Sequence, residues 1–139
     1  IEASGIGIAC ITAQHFGVPV VFAKKTQSRN IDGEVLTSQV TSFTHQRNYD
    51  IIVSARFLSP DDRVLLIDDF LAKGSAMLGL ISLVRQSGAT IVGAGICIEK
   101  GFDVGGKAIR DLGIEVQSLA VIQEMQEGHI VFAPDPYEG

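Results

Sequence analysis

Between Arg63 and Ile122 the chain alternates between two rhythms, and this alternation restricts its fold more than any other feature. RVLLID (63–68), TIVGAGICIE (90–99) and IEVQSLAVI (114–122) are short, nearly continuous apolar runs. Such runs suit strands buried on both faces. Between them lie SAMLGLISLVRQS (75–87), with apolar residues at helical spacing and Gly88 as its cap, and a shorter stretch from Lys107 to Leu112 stopped by Gly113. Strand, helix, strand, helix, strand predicts an α/β fold, a parallel doubly wound sheet flanked by helices.

The first half of the chain reads differently. IGIACITAQHF (6–16) predicts a buried helix after a Ser4-Gly5 turn, ended by Gly17 with Pro19 beyond it. VPVVFA (18–23) has the form of a short strand closed by Lys24 and Lys25. TQSRNIDGE (26–34) is a polar loop, and VLTSQVTSFTHQ (35–46) and YDIIVSARF (49–57) predict two antiparallel strands with turns at Gly33 or Arg47-Asn48. Ser59-Pro60-Asp61-Asp62 is a turn, and the closing PDPYEG a frayed tail.

A chain of 139 residues suits one domain over residues 1–139. Its opening at Ile1, inside what reads as the end of a strand, leads us to expect an upstream segment. A net charge of −5 without a Lys/Arg run argues against nucleic acid as a partner, and the lack of Trp argues against a stacking platform for single strands. No apolar run reaches the ~18 residues of a membrane span, and no signal peptide is visible, so a cytoplasmic location is expected. Cys10 and Cys97, each in an apolar run, read as small core residues rather than a disulfide or metal pair. His15, His45 and His129 lack metal-ligand spacing and read as structural or surface residues.

Chemistry concentrates in VLLIDDFLAKGSA (64–76). In an open α/β sheet, ligands bind at the carboxyl ends of the strands, and the adjacent carboxylates Asp68 and Asp69 fall there. Ala72, Lys73, Gly74, Ser75 and Ala76 lead into a helix, where unpaired backbone N–H groups and the helix dipole favour an anion. The acids can accept hydrogen bonds from vicinal hydroxyls or bind hydrated Mg²⁺. A phosphate cradle beside a diol or metal site fits a sugar phosphate. Three other readings compete: a plain helix cap, a Walker B strand, which lacks its GxxxxGK[ST] partner, and a response-regulator receiver, whose acid pair would stand near the domain start.

The same thirteen residues resemble the phosphoribosyl-diphosphate (PRPP) motif of the type I phosphoribosyltransferases. IEASG (1–5) resembles that family's pyrophosphate loop, VPVVFAKK the strand after it, residues 26–48 its flexible catalytic β-hairpin loop over the site, and IEKGF (98–102) the segment that presents a base-binding lysine. The wording of DDFLAKG and IEKGF is closest to the bacterial purine-salvage members that take xanthine.

The resemblance implies Mg²⁺-dependent transfer of phosphoribose from PRPP to a 6-oxopurine, releasing pyrophosphate. Asp68 and Asp69 would hold the ribose hydroxyls, and Ala72 to Ala76 the 5′-phosphate. Ala3, Ser4 and Gly5 would face the pyrophosphate, with Lys24 or Lys25 neutralising it. Lys100 would read the purine 6-oxo group, and Phe102 and Phe70 would pack on the ring. It also implies a homodimer and an N-terminal hood over the base, which this sequence does not display. Lys73 and Ala76 depart from the commoner Thr and Thr or Ser of the family. Ala72 replaces the acid of the hypoxanthine-guanine enzymes and argues against that subgroup. The alternatives carried are a PRPP-sensing purine regulator, which would bind DNA through a further domain, and an adenine, orotate or hypoxanthine-guanine phosphoribosyltransferase.

Overall fold

The computed structural model describes residues 1–26, 34–42 and 47–134. In chain order these form α1 (Ser4–Phe16), β1 (Lys24–Thr26), β2 (Val35–Ser42), β3 (Arg47–Ser54), a 3-10 turn (Ala55–Phe57), β4 (Arg63–Leu71), α2 (Ser75–Ser87), β5 (Thr90–Lys100), α3 (Gly105–Arg110), β6 (Val116–Gln126) and β7 (His129–Phe132). β4, β5 and β6 are parallel neighbours, and β7 adds an antiparallel edge in the order β4-β5-β6-β7. β1, β3 and β2 make a second, antiparallel sheet in that order.

α2 joins the two sheets because its apolar residues occupy two flanks. Met77, Ile81 and Val84, at four- and three-residue spacing, enter a core with Leu66, Leu71, Ala94, Ile96, Ile109 and Val116 of the parallel sheet and α3. Leu83 enters the other core with Ala23, Val40, Ile51 and Val53, and Leu80 touches both. Fully burying a side chain such as Met77 or Leu83 contributes about 1.5–3 kcal/mol. Gly79 sets the approach of the second sheet: a Cβ there would lie 2.6 Å from Val40 Cγ2 and 3.0 Å from Ile51 Cδ1. The helix ends where expected, at Gly88 in the left-handed region with φ of 79°.

The expected parallel α/β unit is present, as is the β2–β3 antiparallel pair. Several details are corrected. β4 runs to Leu71, so the acid pair lies within the strand's last turns of pleat rather than at its last residue. Residues 18–23 make no strand: Pro19 lacks a donor, and the bonds there, Val18 N–H to the Ala13 carbonyl (3.1 Å) and Glu2 N–H to the Ala23 carbonyl (3.0 Å), are single ties rather than a ladder. α1 is not buried. Its apolar residues are spread around the axis, so packing one side on β4 hides Gly5 and Ala13 but leaves Ile11 73% exposed. Cys10, on the same helix, is exposed, and Cys97 half-buried.

The Ser59–Asp62 turn forms, with Asp62 Oδ2 accepting from Ser59 N–H (2.7 Å) and Oγ–H (3.0 Å). Asn48 lies inside β3, not at a turn, and β3 stops at Ser54 rather than running to Phe57. Gly33, His45 and the 135–139 tail lie outside the described residues. β2, the first strand of the expected hairpin, packs on α2, where Gln86 Nε2–H donates to the Thr37 carbonyl at 3.0 Å. β7 was not expected. Its signal was Glu127-Gly128, with Gly128 at a φ of 75° that a tight hairpin turn favours.

Candidate active site

The carboxyl ends of β4 and β5 meet the N-termini of α1, α2 and α3, and the expected site residues gather in this neighbourhood in three groups. In the first, strand alternation turns Asp68 inward, 7% exposed, while Asp69 is half-buried beside it. Asp68 Oδ1 accepts the Asp69 N–H at 3.1 Å. Gly5, at the start of α1, presses against this carboxylate: a Cβ on Gly5 would lie 2.8 Å from Asp68 Oδ1. Burial, reinforced by the charge of Asp69, pushes the Asp68 carboxyl from its ordinary 3.8 up to about 6.

Ala3 and Ser4 sit exposed at the first turn of α1, next to Gly5. Lys25 also joins this group. Its N–H donates to the Glu2 carboxylate at 2.7 Å, and its Nζ lies 5.3 Å from the centre of the Tyr49 ring. Tyr49 titrates above its usual range, first through burial and then through the negative charge of Asp68. Tyr49, which sequence analysis did not single out, thus stands beside Lys25 and within the field of Asp68. Lys24, one residue earlier in β1, is exposed and alternates to the other side of the strand.

The second group is the loop from Ala72 to Ala76. Gly74 takes a φ of 82°, open to glycine at little cost, and is the residue before α2. The residue before the helix, Gly74, has no side chain to cap it, and the N–H groups of the helix's first turn are the ones a helix leaves without an intrahelical partner. Ser75 opens the helix, Ala76 packs beneath it on the second core, and Lys73 is exposed.

The third group gathers around Lys100 at the end of β5. Lys100 Nζ lies 5.7 Å from the Phe70 ring centre and 5.9 Å from that of Phe102, and both rings are largely exposed. Under Lys100 lies a cluster that sequence reading missed. Glu99, almost fully buried, accepts from Arg110 Nη1 at 2.7 Å and Nη2 at 2.9 Å, and from Ser118 Oγ–H at 2.6 Å. The Arg110 hydrogen bonds, helped by Ser118, hold the Glu99 carboxyl below its usual range in spite of burial. The signal was an acid inside the apolar run IVGAGICIE. His15 and His129 are exposed, as expected of surface residues.

Among the described residues no three His, Cys, Asp or Glu side chains are grouped to hold a metal ion. The acid pair supplies carboxylate oxygen, which suits a hard cation whose other ligands are substrate oxygens and water.

A parallel sheet with an acid pair, a helix start and a cationic aromatic cluster at its carboxyl edge is the arrangement expected of a transferase of phosphorylated sugars, and the comparisons give the family. The phosphoribosyl transferase domain matches residues 1–136, and the chain belongs to this family. Its relatives include the xanthine phosphoribosyltransferase of Lachnoclostridium phytofermentans, 61% identical over 97% of this chain and 71% of that protein. That of Bifidobacterium adolescentis is 56% identical over 95% of this chain and 70% of the relative. Among solved structures, the adenine phosphoribosyltransferase of Giardia lamblia complexed with 9-deazaadenine superposes with a TM-score of 0.76 at 26% identity, over 89% of this chain and 67% of that one. The chain thus spans about seven-tenths of the length of these curated relatives.

Proposed function

We propose that the protein transfers the 5-phosphoribosyl group of PRPP to xanthine, giving xanthosine monophosphate and pyrophosphate. The observation that carries this reading is the convergence of the acid pair, the Ala72–Ala76 loop and the Lys100–Phe70–Phe102 cluster on the carboxyl ends of β4 and β5. The relatives' names support xanthine as the acceptor.

In this reading Asp68 and Asp69 accept hydrogen bonds from the ribose 2′ and 3′ hydroxyls, and the first-turn N–H groups of α2, with Ser75, cradle the 5′-phosphate. Ala3, Ser4 and Gly5 line the pyrophosphate side. Lys25, set beside Glu2 and Tyr49, is favoured over Lys24 to offset its charge. Asp68 and Asp69 are the residues beside which Mg²⁺ would be held, and it would supply charge neutralisation for the pyrophosphate. Lys100 donates to the purine 6-oxo group, and Phe70 and Phe102 flank the ring.

The C1–oxygen bond to pyrophosphate breaks, the C1–nitrogen bond to the purine forms, and the purine N–H proton is released. Charge builds up on the ribose and the leaving group, so this chain contributes mainly placement and electrostatic stabilisation. The reading also carries a homodimer acting in the cytoplasm. No helix among the described residues is long and apolar enough to cross a membrane.

The test is a rate comparison of xanthine, guanine, hypoxanthine, adenine and orotate with PRPP and Mg²⁺. Xanthine should give the highest kcat/KM. A higher value for another base would replace the acceptor, and PRPP-dependent DNA binding without turnover would replace the enzyme by a regulator.

A further inference from the structure

Two consecutive glycines at the start of α3 lie against two different parts of the site. A Cβ on Gly105 would overlap the Ala72 carbonyl oxygen and stand 2.6 Å from Gly74 N and 2.8 Å from the Lys73 carbonyl carbon. Gly105 N–H donates to that same Ala72 carbonyl at 3.0 Å. The contact is mutual, since a Cβ on Gly74 would lie 2.9 Å from the Gly105 Cα. The neighbouring Gly106 faces the other way. A Cβ there would overlap Glu99 Oε1 and lie 2.6 Å from Arg110 Nη1.

Backbone-to-backbone contact of this kind cannot be relieved by a rotamer change, so the height of the 72–74 loop follows the position of α3. That position is fixed in turn by the Glu99–Arg110–Ser118 cluster, which ties α3 to β5 and β6. Ile109 adds a fully buried apolar anchor on the same helix.

We propose that Gly105 is a positioning residue for the 5′-phosphate loop, and that α3, held by the Glu99–Arg110–Ser118 cluster, is the strut that sets the loop's height. This rests on the assignment of residues 72–76 to the phosphate. Gly105 touches no reacting atom in this scheme. It lets α3 come close enough to hold the Ala72 carbonyl, and so aims the N–H groups that follow Gly74.

Two variants separate positioning from mere folding. Gly105→Ala pushes the loop off α3 and should raise the KM for PRPP about tenfold to a hundredfold, as expected of angstrom-scale misplacement. The KM for xanthine at saturating PRPP should change less than twofold. Arg110→Lys adds no atom near the loop, but it gives up the two-pronged grip on Glu99 and should raise the KM for PRPP severalfold in the same one-sided way. Lys107→Ala, on the exposed side of α3, should leave both constants unchanged.

Ribose 5-phosphate binding, measured by calorimetry, follows the loop without turnover and should weaken in parallel. If Gly105→Ala does not fold, Arg110→Lys decides alone. Unchanged ribose 5-phosphate binding in the folded variants, or equal losses toward both substrates, overturns the strut. A wild-type protein that binds ribose 5-phosphate without turning over PRPP refutes the proposed reaction, and weakened binding in the variants would then still support the strut. A wild-type protein that does not bind it overturns both.

Discussion

Asp68→Asn should make the protein inactive and more stable at the same time. The carboxyl rises from 3.8 to about 6 because the folded chain buries it next to Asp69. Its ionised form is therefore about 3 kcal/mol less favourable in the folded chain than in the unfolded one. Between about pH 4 and pH 6 the folded chain keeps a proton on Asp68 that the unfolded chain has released. Stability linked to this group is therefore full below about pH 4, falls as pH rises through that window, and levels off above it.

Asn removes the charge, and its side-chain carbonyl can still accept the Asp69 N–H. The gain over wild type should reach about 3 kcal/mol at pH 7 to 8, or roughly 10 °C in Tm, and nearly vanish at pH 4. Urea titrations of both proteins at half-unit pH steps give the difference directly, and groups common to both cancel. A stability gap independent of pH, or one that widens toward acid, would refute the account of Asp68 as a carboxylate buried at a cost.

Other substitutions follow from other contacts. Gly79→Ala should destabilise by about 1–3 kcal/mol although it improves helix propensity, because the added methyl meets Val40 and Ile51 under 3.1 Å; calorimetry checks this. Arg110→Ala should cost more, about 2–4 kcal/mol, by leaving the buried Glu99 carboxylate with Ser118 alone, and that cost should shrink in acid as Glu99 takes up a proton. Lys100→Ala should raise the KM for xanthine far more than that for PRPP in initial-rate kinetics, and equal effects would remove Lys100 from base recognition.

The parallel unit from Arg63 to Ile122 was legible because its apolar runs are short and α2 ends on Gly88 and falls on the residues expected; α3 spans Gly105–Arg110 rather than Lys107–Leu112, with Asp111 at its end. The acid pair and the loop could be named as candidates because they lie within 64–76, and Lys100 and Phe102 because they lie within 98–102; the structure sets Phe70, from the first stretch, beside Lys100 of the second. What escaped depends on contacts across the chain. Tyr49 feels the charge of Asp68 from another sheet, and Glu99 meets Arg110 and Ser118 only after α3 folds back. Residues 18–23 have the composition of a strand, but pairing decides, and no ladder forms there. α1 has the composition of a core helix without a single apolar face, and so it stays largely in solvent.

α2, gripped on one flank by the parallel sheet and on the other by the antiparallel one, cannot tilt without disturbing both cores. The amides at its N-terminal end are thus immobilised by folding itself. Under the proposed function, a phosphate arriving there would meet donors whose conformational entropy is already gone, so little of the binding free energy would be spent on ordering them. A helix clamped this way would make recognition of the phosphate a property of the whole core rather than of one loop.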